Sequence, residues 1–496
     1  MINLLTSTQI REAEQFTIDN QLIASIDLME RAAEAFLIDF RKYYPDQDLI
    51  ISVLCGQGNN GGDGLAIARL LHLDGYKFIS VCLVNFQAKE SEDYSKNLTR
   101  LAQTKVPILT ITAPEQFKNG DATLIIDAIL GSGLNKPING AYADLVQKVN
   151  SSGKIIVSVD VPTGLPSEGV IDQAYRGIKA DLVICFQLPK LNFFFPESAK
   201  AMNEFKVASI GLDEDFMANQ STFWKLITKP MIKPRARFTH KGTYGHALIV
   251  AGDEDAMGAA LLSARACLRI GAGLTTLCLP ENGRYAINTS LPEVMTLRKD
   301  DRIAEDVLKK ITAIAIGPGI GTRTSSEALL EQLIHVKMPM VIDADAINIL
   351  SGRKDLLDRL LKGSIITPHM KEFDRLFGDH QTWWERLETA KGEALKRRII
   401  IILKNQYTFV CLPNGEVHIN QTGNPGMASG GMGDVLTGMI VGLLAQSYSS
   451  ADASTLAVYL HGKAGDELSE TLFTISASQV ADQLPRTVKR IVKSRP

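Results

Sequence analysis

Two glycine clusters about 370 positions apart limit what this chain can fold into. The later one, Asn424-Pro-Gly-Met-Ala-Ser-Gly-Gly-Met-Gly-Asp434, runs straight into the apolar stretch Val435 to Leu444. Glycines ahead of a helix let backbone N–H groups converge on an anion, and the helix N-terminus adds a partial positive charge. A carboxylate is repelled by a phosphate there unless it faces the other reactant and takes its proton. The segment therefore points to phosphoryl transfer to a hydroxyl, with Asp434 as base. The alternative is a glycine-rich turn in which Asp434 only caps the helix.

The earlier cluster lies in Leu49-Ile-Ile-Ser-Val-Leu-Cys-Gly-Gln-Gly-Asn-Asn-Gly-Gly-Asp-Gly64. An apolar, β-rich run precedes it, and Leu65 to Leu71 has helical spacing, so the order is strand, glycine loop, helix. No Lys-Ser/Thr pair follows, and Gly56-Gln-Gly58 leads into two asparagines, so neither common nucleotide fingerprint is met. A purely structural turn is the rival reading. Two such loops so far apart predict two α/β domains, and 496 residues are enough for both.

Apolar residues make up 45% and charged residues 22%, an ordinary globular balance. A formal net charge of −2 gives no electrostatic case for nucleic acid or an anionic membrane. The N-terminus lacks a signal-length apolar core, and the run Val435 to Ala445 is too short to span a bilayer. Six scattered cysteines without a C-x-x-C pair read as buried thiols in a reducing compartment. A soluble cytoplasmic protein is expected.

Thr6-x-x-Gln9 is a capping-box pattern, and Leu28, Met29, Ala32, Ala33, Phe36, Leu37 and Phe40 mark one face of a second helix. Strands are expected at Leu49 to Cys55, Phe78 to Val84, Thr123 to Ala128, Lys154 to Val159 and Asp181 to Phe186. Trp224 to Phe238 reads as a linker or extended arm, with the domain boundary between about Leu212 and Arg237. A second alternation is expected at His246 to Ala251, Leu274 to Leu279, Ala313 to Ile316, Met340 to Ile342, Ser364 to Ile366 and Ile399 to Leu403. Short strands Tyr407 to Leu412 and Glu416 to Ile419 then flank Pro413-Asn-Gly415. The domains are placed at 1–215 and 225–496.

In the first half, Asp127 and Asp160 each stand at a predicted strand end beside a Gly or Pro turn, where ligands sit in α/β sheets. With Asp63 they are candidates for acid/base or cation-binding roles, or for plain turn caps. Gly58-Asn-Asn-Gly-Gly-Asp-Gly64, Asp127-Ala-Ile-Leu-Gly-Ser-Gly-Leu134 and Asp160-Val-Pro-Thr-Gly164 resemble the motifs of the NAD(P)H-hydrate epimerase family. The resemblance covers roughly Met1 to Asp213. It implies a Rossmann-like parallel-sheet fold and a hydrated NADH or NADPH substrate. It also implies substrate binding by Asn59, Asn60, Gly61, Gly62, Asp63, Gly131, Ser132, Gly133, Leu134, Asn135, Lys136, Pro137 and Asp160. Asn60, Asp127 and Thr163 match that family's potassium ligands, all oxygen donors as a hard cation wants. Asp160 is the expected proton-handling group.

In the second half, Ala251-Gly-Asp-Glu-Asp-Ala-Met-Gly-Ala-Ala260 ends a strand and opens a helix stopped by Gly271. Ile316-Gly-Pro-Gly-Ile-Gly321, Thr367-Pro-His-Met-Lys-Glu-Phe373 and Leu403-Lys-Asn-Gln-Tyr-Thr408 follow further strands. His369 by itself is as readily a helix-start residue, and His461, mid-helix, reads as structural. Together these stretches resemble the ADP- or ATP-dependent NAD(P)H-hydrate dehydratase family, from about Lys241 to the C-terminus. That implies a ribokinase-like α/β fold, with Ala259, Gly319, His369 and Asp434 around the hydrate. Lys404, Asn405, Gln406, Tyr407, Thr408 and Gly433 would bind the adenine nucleotide, with magnesium expected beside it. The whole chain thus resembles the bifunctional NAD(P)H-hydrate repair family, epimerase first and dehydratase second.

Phosphorylating the hydrate's ring hydroxyl would make a leaving group of it, and loss of phosphate would restore NAD(P)H. Two rivals stand beside this reading. One is a small-molecule kinase of the same fold, acting on a vitamin-precursor alcohol and releasing a stable ester. The other treats the first half as a ligand-binding module without catalysis. A homo-oligomer is expected, and the choice between ADP and ATP stays open.

Overall fold

The computed structural model describes residues 1–493 except 87–88, 119, 135 and 300–301. The chain forms two compact units: Asn3–Thr222 with Thr382–Trp384, and Met1–Ile2 with Phe223–Gln381 and Glu385–Pro496.

The first unit is built on β1 (Ile50–Cys55), β2 (Phe78–Val84), β3 (Ile108–Ile111), β4 (Leu124–Ala128), β5 (Ile155–Val159), β6 (Ala180–Phe186) and β7 (Met202–Ala208). They pair in the order β3-β2-β1-β4-β5-β6-β7, all parallel. Helices cover both faces, so the central strands read as near-continuous apolar runs, and Val53, Ile126, Val157 and Val183 are fully buried. The chain reverses its direction of travel across the sheet between β1 and β4. That switch point opens a crevice at the strands' C-terminal ends. Ahead of the sheet, the Thr6–Gln9 capping box starts helix Ser7–Gln21, and helix Ser25–Tyr43 buries the predicted apolar face. Two strands of this sheet were not anticipated from the sequence. β3 is a short edge with Ile108 and Leu109 exposed, and β7, at the other edge, is polar and largely solvent-facing in its middle.

The second unit contains β8 (Trp224–Leu226), β9 (His246–Val250), β10 (Leu274–Leu279), β11 (Met295–Arg298) and β12 (Ala313–Ile316). It continues with β13 (Met340–Ile342), β14 (Ile365–Ile366), β15 (Ile400–Leu403), β16 (Thr408–Cys411) and β17 (Val417–Asn420). The order is β8-β17-β16-β15-β14-β13-β12-β9-β10-β11, parallel except that β16 runs antiparallel to β15 and β17. The short β15–β16 and β16–β17 connections allow only hairpins, the second turning at Gly415 (φ 87°). The linker expectation for Trp224 to Phe238 needs correcting at its start. Trp224, Lys225 and Leu226 pair with Val417, His418 and Ile419 as a short strand.

Helix Met432–Ala445 lies against helix Met257–Ile270 so closely that a Cβ at Gly438 would stand 2.0 Å from the Ser263 carbonyl oxygen. One at Gly442 would stand 2.5 Å from Ile270 Cγ2. The two glycines share one helix face at i, i+4 spacing, and this contact fixes where the glycine-rich N-terminus of the helix points. Gly271 (φ 107°) ends the partner helix as its position predicts. Among the described residues no helix is long and apolar enough to cross a membrane. All six cysteines are free and buried.

Candidate functional site

In the first unit the glycine cluster does two jobs. Only Gly56, Gln57 and Gly58 form the loop after β1, because the helix begins at Asn59 and takes in the rest of the predicted glycine loop. A Cβ on Gly61 would lie 1.7 Å from the Gly56 carbonyl oxygen, and one on Gly62 2.9 Å from Met29 Sδ. These glycines let the helix approach the strand end and the neighbouring helix. They do not line the crevice, although Gly61 and Gly62 were expected at the substrate. Asn59, Asn60 and Asp63, on the open side of the same turns, do line it.

The crevice is a cavity of about 530 Å³, and Gly131, Ser132, Gly133, Leu134 and Asp160 complete the predicted set in its wall. Lys136 and Pro137 line a neighbouring cavity of about 1090 Å³ that shares Ser132, Gly133 and Leu134. Asn135 lies outside the described residues. Asp160 sits just past β5 at φ 62°, a strained conformation for a non-glycine residue, held by the Phe186 N–H donating to its Oδ1 at 3.0 Å. Lys190 Nζ stands 2.7 Å from that oxygen in a nearly closed site. Burial pulls the Lys190 ammonium down, but Asp160 and its neighbours outweigh this and hold it above its ordinary range. Burial, reinforced by the Asp160 charge, pushes Glu14 up to about 7 and Asp63 well above the carboxylate range. One wall therefore carries an ion pair and two carboxyls disposed to keep their protons.

Asp127 is fully buried, and its carboxylate accepts from Ser158 Oγ (2.8 Å), Thr163 N–H (2.9 Å), Thr163 Oγ1 (2.7 Å) and Ile129 N–H (3.3 Å). It lines neither cavity, so an acid/base role at the substrate does not fit it. Burial raises its pKa more than these hydrogen bonds lower it. Thr163 Oγ1 also reaches the loop beyond β4, accepting from Leu130 N–H at 3.0 Å. A Cβ on Gly131 of that loop would lie 3.0 Å from Asn60 Cβ. The Asn60 amide is buried with neither its nitrogen nor its oxygen hydrogen-bonded, which is costly unless something not of the chain satisfies it.

In the second unit the site collects at the C-terminal ends of β9 and β12 to β15. Asp343 follows β13 and Lys404 follows β15. Lys404 Nζ donates to Asp343 Oδ1 at 2.8 Å, and Thr437 Oγ1 to Oδ2 at 2.7 Å. Gly433 lies against both: a Cβ there would be 3.4 Å from Lys404 Nζ and 3.7 Å from Asp343 Oδ2. Gly431 (φ 88°) is the N-cap of the helix, which leaves the first-turn N–H groups without helical partners. Asp434 stands in that first turn. Burial, then Asp343, push its carboxyl up to about 6, while Lys404 pulls the other way.

Gly319 (φ 62°) and Ala259 touch, since a Cβ on Gly319 would lie 3.2 Å from Ala259 Cβ. His369 is bridged to Lys404 in the sheet. It also caps helix Met370–Phe377, its Nδ1 accepting from Lys371 and Glu372 N–H, so the helix-start reading of His369 holds as geometry. A separate cavity of about 470 Å³ is lined by Lys404, Asn405, Gln406, Thr408 and Gly433; Tyr407 is absent from its wall.

Four site residues escaped the sequence reading. Asp343 and Lys190 are strand-end charges whose importance lies in partners distant along the chain. Glu14 has no local signal in its helix. His461, read as structural, lines the 470 Å³ cavity.

Compared with known proteins, residues 25–192 match the YjeF-related protein N-terminus family, and residues 247–486 match the NAD(P)H-hydrate dehydratase family. The chain is 32% identical over 483 residues to the bifunctional NAD(P)H-hydrate repair enzyme Nnr of Coxiella burnetii, covering 95% of this chain and 96% of that one. It is also 32% identical over 503 residues to the Escherichia coli protein of that name, covering 97% and 92%. A solved structure of the ADP/ATP-dependent NAD(P)H-hydrate dehydratase of Bacillus subtilis, co-crystallized with ATP/Mg2+, is 33% identical over 52% of this chain and 94% of that one, with a TM-score of 0.47.

Proposed function

The chain belongs to the family of bifunctional NAD(P)H-hydrate repair enzymes, and on that premise we propose how its two units divide the repair of hydrated NADH and NADPH. The first unit epimerises the R and S hydrates. The second dehydrates the S hydrate to NAD(P)H at the expense of ADP or ATP. The observation that carries the second half is the grouping of Asp434, Lys404 and Asp343 at a glycine-rich helix N-terminus.

There the free N–H groups from Gly431 onwards and the Lys404 ammonium hold phosphate charge. Asp343 and Thr437 fix where that ammonium points. Lys404 to Thr408 and Gly433 bind the nucleotide, and Ala259, Gly319, His369 and Asp434 hold the hydrate. Asp434 takes the proton of the ring hydroxyl as the phosphoryl group arrives. With a pKa of about 6 it is mostly ionised at neutral pH yet basic enough to accept that proton. Loss of phosphate then restores the reduced ring. Magnesium, which is commonly held largely by substrate phosphates and water, would enter with the nucleotide, since both Asp343 oxygens are engaged by Lys404 and Thr437. When bound, the ion neutralises phosphate charge.

In the first unit Asp160, held in place by Lys190 and the Phe186 N–H, takes and returns a proton as a bond to the hydroxyl-bearing carbon opens and re-forms on the other face. Potassium fits the orphaned Asn60 oxygen together with Asp127 and Thr163, a set of oxygen donors around one loop. When bound it supplies fixed positive charge beside the substrate. Free buried thiols suit a reducing compartment, and we place the work in the cytoplasm.

The test is incubation of an epimer mixture of the hydrate with ADP or with ATP, following near-ultraviolet absorbance of the reduced nicotinamide. Recovery of both epimers is expected with at least one nucleotide. No recovery with either sinks the reading, and accumulation of a stable phosphate ester would favour a kinase.

A further inference from the structure

Inverting the carbon that bears the hydroxyl takes two proton movements. In a hydrated dihydronicotinamide that carbon is also bonded to the ring nitrogen. Opening the carbon–nitrogen bond turns the hydroxyl into an aldehyde carbonyl, so one group must take the hydroxyl proton. The electron pair of the broken bond goes to the ring nitrogen, which leaves more readily when a second group protonates it. Rotation about the neighbouring carbon–carbon bond and closure on the other carbonyl face run both transfers backwards, and no atom is gained or lost. Asp160 suits only the first transfer. Lys190 and the Phe186 N–H both engage its Oδ1, and its Oδ2 has no hydrogen-bond partner among the described residues. A carboxylate paired with an ammonium is placed to accept a proton and has none to give.

Glu14 differs. Helix Ser7–Gln21 turns Ile10, Glu14 and Ile18 to the same crevice, one turn apart along one face. Ala13 and Thr17 of that helix are fully buried, and the Asp213 N–H donates to Thr17 Oγ1 at 2.9 Å, which fixes the face the helix presents. Glu14 is half-buried in the crevice wall, yet its carboxyl makes no hydrogen bond or ion pair with any described residue. Four charged groups surround it: Arg11 on its own helix, Asp63 on helix Asn59–Leu73, Asp160 past β5 and Lys190 past β6. Both cations are turned elsewhere, Arg11 Nε to the Ser7 carbonyl at 3.2 Å and Lys190 to Asp160 at 2.7 Å. An unpaired carboxyl beside two others in a closed wall favours its neutral form.

We propose that Glu14 is the general acid of epimerisation: its carboxyl gives a proton to the ring nitrogen as Asp160 Oδ2 takes one from the hydroxyl, and recovers it as the ring closes. The inference rests on the epimerase reading of this unit. A group with a pKa of about 7 still holds a proton near neutrality, and its carboxylate is basic enough to take that proton back. The missing partner then has a reason, since a carboxyl tied to Arg11 or Lys190 would have lost its proton to the pair.

The test follows interconversion of the R and S hydrates by chromatography, using the full chain without nucleotide so that the second unit is idle. Wild-type epimerisation should fall as pH rises through about 7, where Glu14 loses its proton. Glu14→Gln should lower kcat by about a hundred-fold or more with KM little changed, and its residual rate should lack that alkaline limb. Glu14→Asp, which keeps an acid on a shorter stem, should retain part of the rate together with the limb, and guards against a Gln variant that folds poorly. If the wild-type protein does not interconvert the epimers, the epimerase reading itself falls and the inference with it. If it does, a Gln variant with near wild-type rate, or one that is slower but keeps the limb, overturns only the role of Glu14. An Asp variant no faster than the Gln variant overturns it as well.

Discussion

Lys404 Nζ and Asp343 Oδ1 lie 2.8 Å apart at the ends of two strands separated by one other, and the second Asp343 oxygen accepts the Thr437 hydroxyl at 2.7 Å. Asp343 is almost completely buried while Lys404 keeps part of its surface open. The carboxylate thus serves as an anchor, and the ammonium as the group left facing the glycine-rich turn. The same carboxylate is a neighbour of Asp434 and helps to raise its pKa. One buried charge therefore acts on both the Lys404 ammonium and the Asp434 carboxyl.

Asp343→Asn should show both effects. Removing the negative charge takes away a cause of the raised Asp434 pKa, so the acid limb of the dehydration rate, expected near 6 in the wild type, should move to lower pH. Nucleotide affinity should weaken at the same time, because Lys404 loses its fixed partner. A pH–rate profile with an unmoved acid limb would show that Asp434 titration does not control the rate.

Glu14→Gln should alter stability with a defined sign. The Glu14 pKa is about 7 in the fold against 4.5 as an ordinary value, so the folded unit holds the proton over a range where the unfolded chain has lost it. Its contribution is fully present below about pH 4.5 and is lost as pH rises through about 7. The variant should therefore unfold at a higher temperature than wild type above pH 7, and the gap should close towards pH 5. Thermal unfolding across that range measures it.

Much of this could be read along the chain. The central strands were legible because a parallel sheet covered on both faces turns each strand into an apolar run, as in β1, β5 and β15. Other strands escaped: the middle of β7 is polar and largely solvent-facing, and β8 is three residues long within a proline-containing stretch. The glycine clusters marked the turns correctly. Sequence could not say that Gly61 and Gly62 serve helix packing while Asn60 faces the site, since that depends on where Gly56 and Met29 lie in space. Lys190 was invisible, and His461 was read as structural, for a similar reason: one meets a charge and the other a cavity assembled from distant segments.

We propose that the two units are separable, and the structure refines where to cut. Phe216 stacks on Phe16 with ring centroids 4.4 Å apart, and Asn3 Nδ2 donates to the Met217, Ala218 and Gln220 carbonyls. A fragment ending at Thr222 keeps these contacts and one ending at Asp213 loses them. The longer fragment should be soluble, epimerise without nucleotide and melt higher than the shorter. Equal melting temperatures would show that helix Glu214–Asn219 contributes nothing.

Potassium should stabilise the first unit through Asn60. An unsatisfied buried amide is costly, on the order of 1–3 kcal/mol, and a cation on its oxygen would offset that cost. Potassium, compared with a bulky organic cation at equal ionic strength, should raise the thermal midpoint of the wild type. It should leave Asn60→Ala unchanged, and that variant's epimerisation should lose its potassium dependence. If Asn60→Ala is simply more stable under all salts, the amide was an unpaired group and no ion sits there.

Asp434→Asn bears most directly on the chemistry of the second unit. The substitution preserves size and hydrogen-bonding capacity while removing a base at neutral pH. Loss of a general base typically costs about a hundred- to ten-thousand-fold in rate, and that is the expected fall in dehydration. Nucleotide affinity should change little or rise slightly, because the helix N–H groups and Lys404 remain and a negative charge near the phosphates has gone. Epimerisation should survive, since Asp160 and Lys190 belong to the other unit. The pH dependence carries the finer test: the wild-type rate should fall as pH drops through about 6, where Asp434 becomes protonated, and the residual rate of the variant should lack that limb. Dehydration by the variant at near wild-type rate would reduce Asp434 to a first-turn carboxylate that favours the helix dipole, and the proton acceptor would have to be sought elsewhere in the site.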